Sequence, residues 1–329
     1  MHVYKNDIIW QLTSQLISDG IIEDVANSVV NALVTSEMSG DTAHGLRMYP
    51  IYRKLLQSQD TKNIEMKIIR ESVCFAIIDG AYLPGLYTAT KCMQFAIDKA
   101  HENGMFTVFV RNANTYGSAF VYTLQAAQQG MIGITMANTP AQMTVYGGGK
   151  RLLGTNPLCY AIPAMKEWPI LFDMASSAAA KSRINEASEK GESIPDNWGL
   201  NKFAEKTTNP QEVLNGGFVL PFAPNAKGYG IAMMIDIFSG LLSGAACLDE
   251  VGFFSSGKMN VGQLFIAIDP TMVYGPDFCE RVDDYIRKVK DSGEKVQMPG
   301  ENKLRNIYNA ENEGFKIDDV LFTDIFDAK

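Results

Sequence analysis

Three histidines, at positions 2, 44 and 101, are the side chains of this chain whose ordinary pKa lies close to neutrality. His2 is terminal, and His101 falls in the last turn of a predicted helix, where a charged imidazole complements the helix dipole. His44 follows the capping residues Ser39-Gly40-Asp41-Thr42. A helix start at that point would lower its pKa toward the neutral form, which can shuttle a proton to an oxygen. A histidine at a helix start is also a common local structural residue, so its position alone leaves both roles open.

Other candidate groups are weaker. The run Gly147-Gly148-Gly149-Lys150-Arg151-Leu152-Leu153-Gly154 lacks a Walker Lys-Ser/Thr ending and reads better as a surface turn than as a phosphate loop. Asp173-Met174-Ala175-Ser176-Ser177 ends an apolar strand with a carboxylate and two hydroxyls, suited either to a ribose or phosphate or to capping the next helix. Lys227-Gly228 stands at the entry of an apolar helix, as a cation for a cofactor phosphate or as a solvated charge. No G-x-G-x-x-G opens a helix, which disfavours a Rossmann domain. Cys74, Cys92, Cys159, Cys247 and Cys279 form no CxxC pair and read as small core residues, and no His/Cys spacing suggests a metal.

The elements that must position these groups follow from periodicity. Ile8, Leu12 and Leu16, then Val25, Val29 and Leu33, mark two helices; a third is predicted from about Thr42 through Leu55. Residues 67–79 are β-rich, Pro84-Gly85 opens a helix reaching about His101, and strands are predicted over 107–110, 132–136, two within 157–173, and 263–268. A helix over 118–129 separates the first two of these strands. Residues 190–221 read as a long polar loop, 227–247 as an unusually apolar buried helix, and 274–329 as charged, helical surface. With 329 residues, 46% of them apolar, the chain can bury a large core. A net charge of -8 disfavours nucleic-acid and anionic-membrane partners and leaves small molecules or proteins. The opening residues carry no apolar secretion core and no run is long enough to span a bilayer, so the cytoplasm is expected.

Taken in order, Asp41-Thr42-Ala43-His44-Gly45, Arg111-Asn112-Ala113-Asn114-Thr115-Tyr116-Gly117, Gly154-Thr155-Asn156-Pro157, Asp173-Met174-Ala175, Lys227-Gly228-Tyr229-Gly230 and Pro299-Gly300-Glu301 resemble the malate/L-lactate dehydrogenase family, which also holds sulfolactate and ureidoglycolate dehydrogenases and cyclic imino-acid reductases. The resemblance implies an α/β fold of the α+β kind, with a non-Rossmann NAD(P)-binding domain over 73–222 and a helical domain made from 1–72 and 223–329. It implies a homodimer, NADH or NADPH as cofactor, and a small-molecule substrate. His44 would be the proton donor, with Thr115 and Tyr116 as hydroxyl partners. Arg47, Met48, Asn114 and Thr139 would face the substrate, and Gly117, Ser118, Thr155, Asn156, Asp173, Met174, Ala175, Lys227, Gly228 and the stretch from Glu301 onward the cofactor.

The chain departs from the family pattern on the substrate side. Ala43 stands where a serine is usual, Met48 where an arginine is usual, and Thr115 where a second histidine is usual. Asn201 replaces a common aspartate, and Pro221-Phe222-Ala223-Pro224-Asn225-Ala226 replaces a glycine-rich approach to the Lys-Gly pair. Arg47 cannot simply inherit the arginine's role, because one residue is a rotation of about 100° around a helix. The expectation is an oxidoreductase of altered specificity; the alternative is a cofactor-binding homologue without turnover.

Overall fold

The computed structural model describes residues 1–58, 65–223 and 225–326. Pro224, the residue before the N-cap of the apolar helix, lies outside them. A short strand β1 (His2–Val3) leads into α1 (Lys5–Ser18) and α2 (Glu23–Met38), which bury Leu12, Leu16, Val25, Val29 and Leu33 as their helical spacing requires. The third helix starts later than its pattern suggests. Two 3-10 turns, Thr42–His44 and Leu46–Met48, come first, and α3 spans Tyr49–Gln57. Gly45, at ψ −145° between the turns, breaks the helical path, and Pro50 sits in the first turn of α3, where its missing N–H costs no hydrogen bond.

Strands β2 (Lys67–Glu71) and β3 (Phe75–Asp79), α4 (Gly85–Asn103), β4 (Met105–Ala113), α5 (Phe120–Gln128), β5 (Ile132–Ala137), β6 (Pro157–Ile162) and β7 (Ile170–Ala175) follow as expected in kind and order. After α6 (Lys181–Lys190), the polar stretch expected as one loop carries β8 (Gly199–Leu200), α7 (Pro210–Leu214) and β9 (Phe218–Val219). Met143, Leu153, Ile184, Val213 and Val219 give it a small core of its own, too sparse in sequence to show a period. α8 (Ala226–Asp236), capped by the Asn225 side chain, runs into a π turn at Ile237–Leu241 and ends there, short of Cys247. It is not wholly buried: Met233, Ile237, Phe238, Leu241 and Leu242 are exposed. Apolar content alone does not say which faces are covered.

The chain closes with β10 (Val261–Ile268), α9 (Pro270–Val273), α10 (Phe278–Lys290), α11 (Glu301–Glu313), β11 (Phe315–Lys316) and α12 (Asp319–Phe326). Though charged, this end is amphipathic and buries Val282, Ile286, Leu304 and Ile307.

The seven-stranded sheet runs β2-β3-β4-β10-β5-β6-β7, with β3 parallel to β4 and every other pair antiparallel. β10 returns from late in the chain to the middle of the sheet, with Phe265 opposite both Val108 and Thr135. Alternation along β10 sends Phe265 to the core shared with α4 and α5, and Leu264 and Ile266 to the α8 side. The chain ends meet: β1 pairs with β11, and Leu304, Ile307 and Ile325 join the core of α1 to α3. Cys92, Cys159 and Cys247 are buried as expected and Cys279 is half-buried, but Cys74 is exposed, lying in the turn before β3 rather than in a strand. Among the described residues no helix is long and apolar enough to cross a membrane.

Candidate active site

The corner between α2 and α3 is fixed before any ligand is considered. The Glu37 carboxylate accepts the Leu46 N–H at 2.9 Å, and the Ser39 carbonyl accepts from the Asn306 side chain of α11 at 3.0 Å. In a 3-10 turn residues i and i+3 eclipse, so Asp41 and His44 face one another. Both carboxylate oxygens of Asp41 lie 3.2 Å from His44 Nδ1, and Ser118, just before α5, donates its hydroxyl to Asp41 Oδ2 at 2.7 Å.

This geometry reverses the pKa direction expected for His44. The residue closes a 3-10 turn instead of opening an α-helix, so no helix dipole favours its neutral form. The hydrogen bond to Asp41 raises its pKa, partial burial opposes, and the charges of Asp41 and Asp173 add to the rise against Lys303. Asp41 moves the opposite way. Burial pushes its carboxyl up, but the His44 and Ser118 hydrogen bonds and the nearby cations outweigh that and leave it at about 2. Asp41 is therefore ionised at neutral pH, accepts a hydrogen bond from Nδ1–H, and leaves Nε2 of a half-exposed imidazole without a partner among the described residues.

The second part of the site is an ion pair. Lys303, in the first turn of α11, sits 2.7 Å from Asp173 Oδ2 on β7 and 4.5 Å from the Phe120 ring centroid. Its field reaches both Asp41 and His44. Gly300 permits this approach: it holds φ +77°, and a β-carbon there would collide with the Leu171 carbonyl of β7.

The residues assigned to a cofactor are partly gathered. Ala175 is exposed at the end of β7, and the Ser176 carbonyl accepts the Phe222 N–H at 2.9 Å, which brings the approach to α8 beside that strand end. The start of α8 carries the exposed Lys227 and the buried Gly228, where a β-carbon would strike the Ala223 carbonyl. A helix start with a cation can meet a pyrophosphate, and the Asp173 carboxylate, shared with Lys303, can accept from a ribose hydroxyl. These residues fit a dinucleotide.

Other candidates do different work. Asn114 is buried, its amide donating to the Tyr82 carbonyl and accepting from the Met259 N–H, so it builds the loop and has nothing left for a substrate. Tyr116 is stacked on Tyr122 in an aromatic core with Phe265, which removes it from the hydroxyl role. Ser118 holds Asp41 instead of a cofactor. Asn156 is buried, accepting from the Thr139 N–H and donating to the Ala232 carbonyl, and so ties the Thr139 loop to α8; the Thr155 hydroxyl lies 3.4 Å from that of Thr139. The Glu301 carboxylate is engaged by the Met298 N–H and Arg305. Arg47 is exposed, and Met48 packs partly buried against the helical core. Thr115 spends its carbonyl on the Tyr52 hydroxyl, and Gly117 turns the chain at φ +69°. The glycine-rich region from 147 to 154 begins as an exposed turn, as read.

Asp41 is not among the expected site residues, and Lys303 falls in the stretch from Glu301 onward without being singled out there. An acid three residues before a histidine is a usable signal for the first. Lys303 lies 130 positions from its partner and has none.

A family model described as malate/L-lactate dehydrogenase matches residues 6–325. A malate/(S)-sulfolactate dehydrogenase of Methanothermus fervidus is 36% identical over 308 residues, covering 92% of this chain and 89% of its own. An NAD(+)-dependent ureidoglycolate dehydrogenase of Escherichia coli K12 is 28% identical over 333 residues, covering 98% and 94%. The solved sulfolactate dehydrogenase of Methanocaldococcus jannaschii superposes with a TM-score of 0.89 at 32% identity, covering 99% of this chain and 96% of that one.

Proposed function

This chain belongs to the malate/L-lactate dehydrogenase family, and we propose on that footing that it is an NAD(P)H-dependent oxidoreductase acting on a carbonyl or cyclic imine carbon beside a carboxylate, with His44 as proton donor and acceptor. The observation that carries the reading is the Asp41-held imidazole: Nδ1 is fixed at 3.2 Å and Nε2 is left available. A bound nicotinamide supplies the hydride. The protein's part is to deliver a proton from Nε2 to the oxygen or nitrogen that becomes electron-rich, while ionised Asp41 stabilises the imidazolium before transfer and Ser118 keeps Asp41 turned toward the ring. Asp41 thus does the orienting work for which Ala43 has no side-chain hydroxyl.

In this reading Asp173, Met174, Ala175, Lys227 and Gly228 hold the cofactor, either NADH or NADPH. Residues 73–222, with β2 and β10 completing their sheet, form the cofactor part, and the rest of 1–72 and of 223–329 form the helical part. The protein works in the cytoplasm and as a homodimer, and the exposed apolar run Met233, Ile237, Phe238, Leu241 and Leu242 supports the dimer. A cofactor-binding homologue without turnover is the second reading, favoured by Met48 and Thr115 standing where the family pattern has an arginine and a histidine.

A fluorescence titration with NADH and NADPH, followed by a screen of 2-oxo acids and cyclic imines, separates the outcomes. Micromolar binding with turnover supports the enzyme. Binding without turnover supports the second reading, and no binding overturns both.

A further inference from the structure

A 2-oxo acid or cyclic imino acid brings a carboxylate into the site, and its charge needs a cation. Arg47, Arg53, Arg111 and Lys303 are the described basic residues to weigh, and Lys303, like Arg53, is already paired with a carboxylate. Arg53 is held by Asp19 at 2.6 Å, and Arg111 faces Asp79 at 3.5 Å. Arg47 is exposed, and Met48 offers no charge.

Lys303 is differently placed. α11 is pinned at two points, where the Pro299 carbonyl accepts the Leu171 N–H at 3.2 Å and where Asn306 donates to the Ser39 carbonyl. Lys303 lies between these points in sequence, and its ammonium sits against Asp173 of β7, with its charge felt at Asp41 and His44. Its side chain is 30% exposed, enough to meet a ligand and covered enough for its charge to act strongly. An ammonium has three N–H donors. Asp173 uses one, the Phe120 face lies against another side, and the remainder is available without breaking the ion pair.

We infer that Lys303 is the carboxylate-binding cation of this site, contributed by the C-terminal helix α11 in place of an arginine beside His44. The assignment rests on the proposed reaction only for the identity of the ligand. It makes Lys303 a determinant of specificity: the enzyme would require an acid, and would accept it in an orientation set from α11 rather than from the α2–α3 corner.

The test uses the full-length protein with NADH bound and oxamate, a planar 2-oxo acid analogue, as the binding probe. Lys303→Met and Lys303→Gln should each weaken oxamate by about tenfold or more, the loss of one charged hydrogen bond, and Lys303→Arg should recover most of it. The ratio of kcat/KM for pyruvate to that for ethyl pyruvate should fall by a similar factor. A residue that merely braced α11 or Asp173 would change acid and ester together and leave that ratio alone. Unchanged oxamate affinity in both neutral variants, an unchanged ratio, or no oxamate binding by the wild type overturns the inference. Lys303-dependent oxamate binding with no turnover of either compound would instead leave the inference standing and remove the proposed reaction.

Discussion

Replacing Asp41 by Asn tests the proton-handling account at one atom. Asn keeps the size of the side chain and an oxygen for the Ser118 hydroxyl, but removes the charge that both lies 3.2 Å from Nδ1 and raises the His44 pKa. A hydrogen bond to a charged group is worth about 1.5–3 kcal/mol when buried, and an exposed ion pair about 0.2–1 kcal/mol. Here the His44 side chain is 53% exposed and Asp41 22%, so the loss lies between these limits, at about 1–2 kcal/mol. This corresponds to a roughly five- to thirtyfold fall in kcat/KM for reduction at neutral pH. The sign of the pH effect follows. Reduction needs the imidazolium, which is lost as pH rises through the His44 pKa; the uncharged amide of the Asp41→Asn variant lowers that pKa, so the alkaline limb moves to lower pH. Stopped-flow loss of NADH absorbance across pH 5–9 reads both quantities. An unchanged limb together with an unchanged rate would show that Asp41 does not govern His44, and the proposed relay would be wrong.

Other perturbations reach the rest of the account. His44→Ala should reduce turnover by about 10²–10⁴-fold while leaving NADH affinity nearly intact by fluorescence, since the imidazole acts on the proton and not on the cofactor. Asn156→Ala strands the Thr139 N–H and the Ala232 carbonyl, both bonded in the buried loop, and should cost about 2–4 kcal/mol in urea unfolding; a loss below about 0.5 kcal/mol would show that the loop is held otherwise. Gly228→Ala drives a β-carbon into the Ala223 carbonyl and should weaken NADH binding more than it lowers the melting temperature. Asp41, ionised with a folded-state pKa of about 2, stabilises the fold fully above about pH 4, and that contribution disappears as pH falls toward 2. Acid unfolding of Asp41→Asn should accordingly begin from a lower stability at pH 6 and converge with the parent near pH 2.

The strands and longer helices were legible because their apolar periods are regular. α4 runs from Gly85 to Asn103 close to its sequence boundaries, and β10 is visible as a strand over 263–268. The position of β10 in the centre of the sheet was not visible, because pairing between residues more than 120 apart leaves no local trace. His44 was found through its type, yet its pKa direction was misread. The deciding feature was a ψ angle at Gly45 that turns a helix start into a 3-10 corner and faces His44 to Asp41. Asn114 and Tyr116 looked functional by type and are consumed by hydrogen bonding and packing, which only coordinates reveal.

The central claim is that this fold transfers hydride with His44 supplying the proton. It is tested most directly by incubating the wild type and His44→Ala with NADH or NADPH deuterated on the transferring face and a panel of 2-oxo acids and cyclic imines, then reading the products by mass spectrometry. Product carrying one deuterium at the reduced carbon is predicted to form with the wild type and about 10²–10⁴-fold more slowly with His44→Ala. Equal rates of labelled-product formation by both proteins would remove His44 from the mechanism, and no labelled product from the wild type, with cofactor bound, would contradict the proposed activity itself.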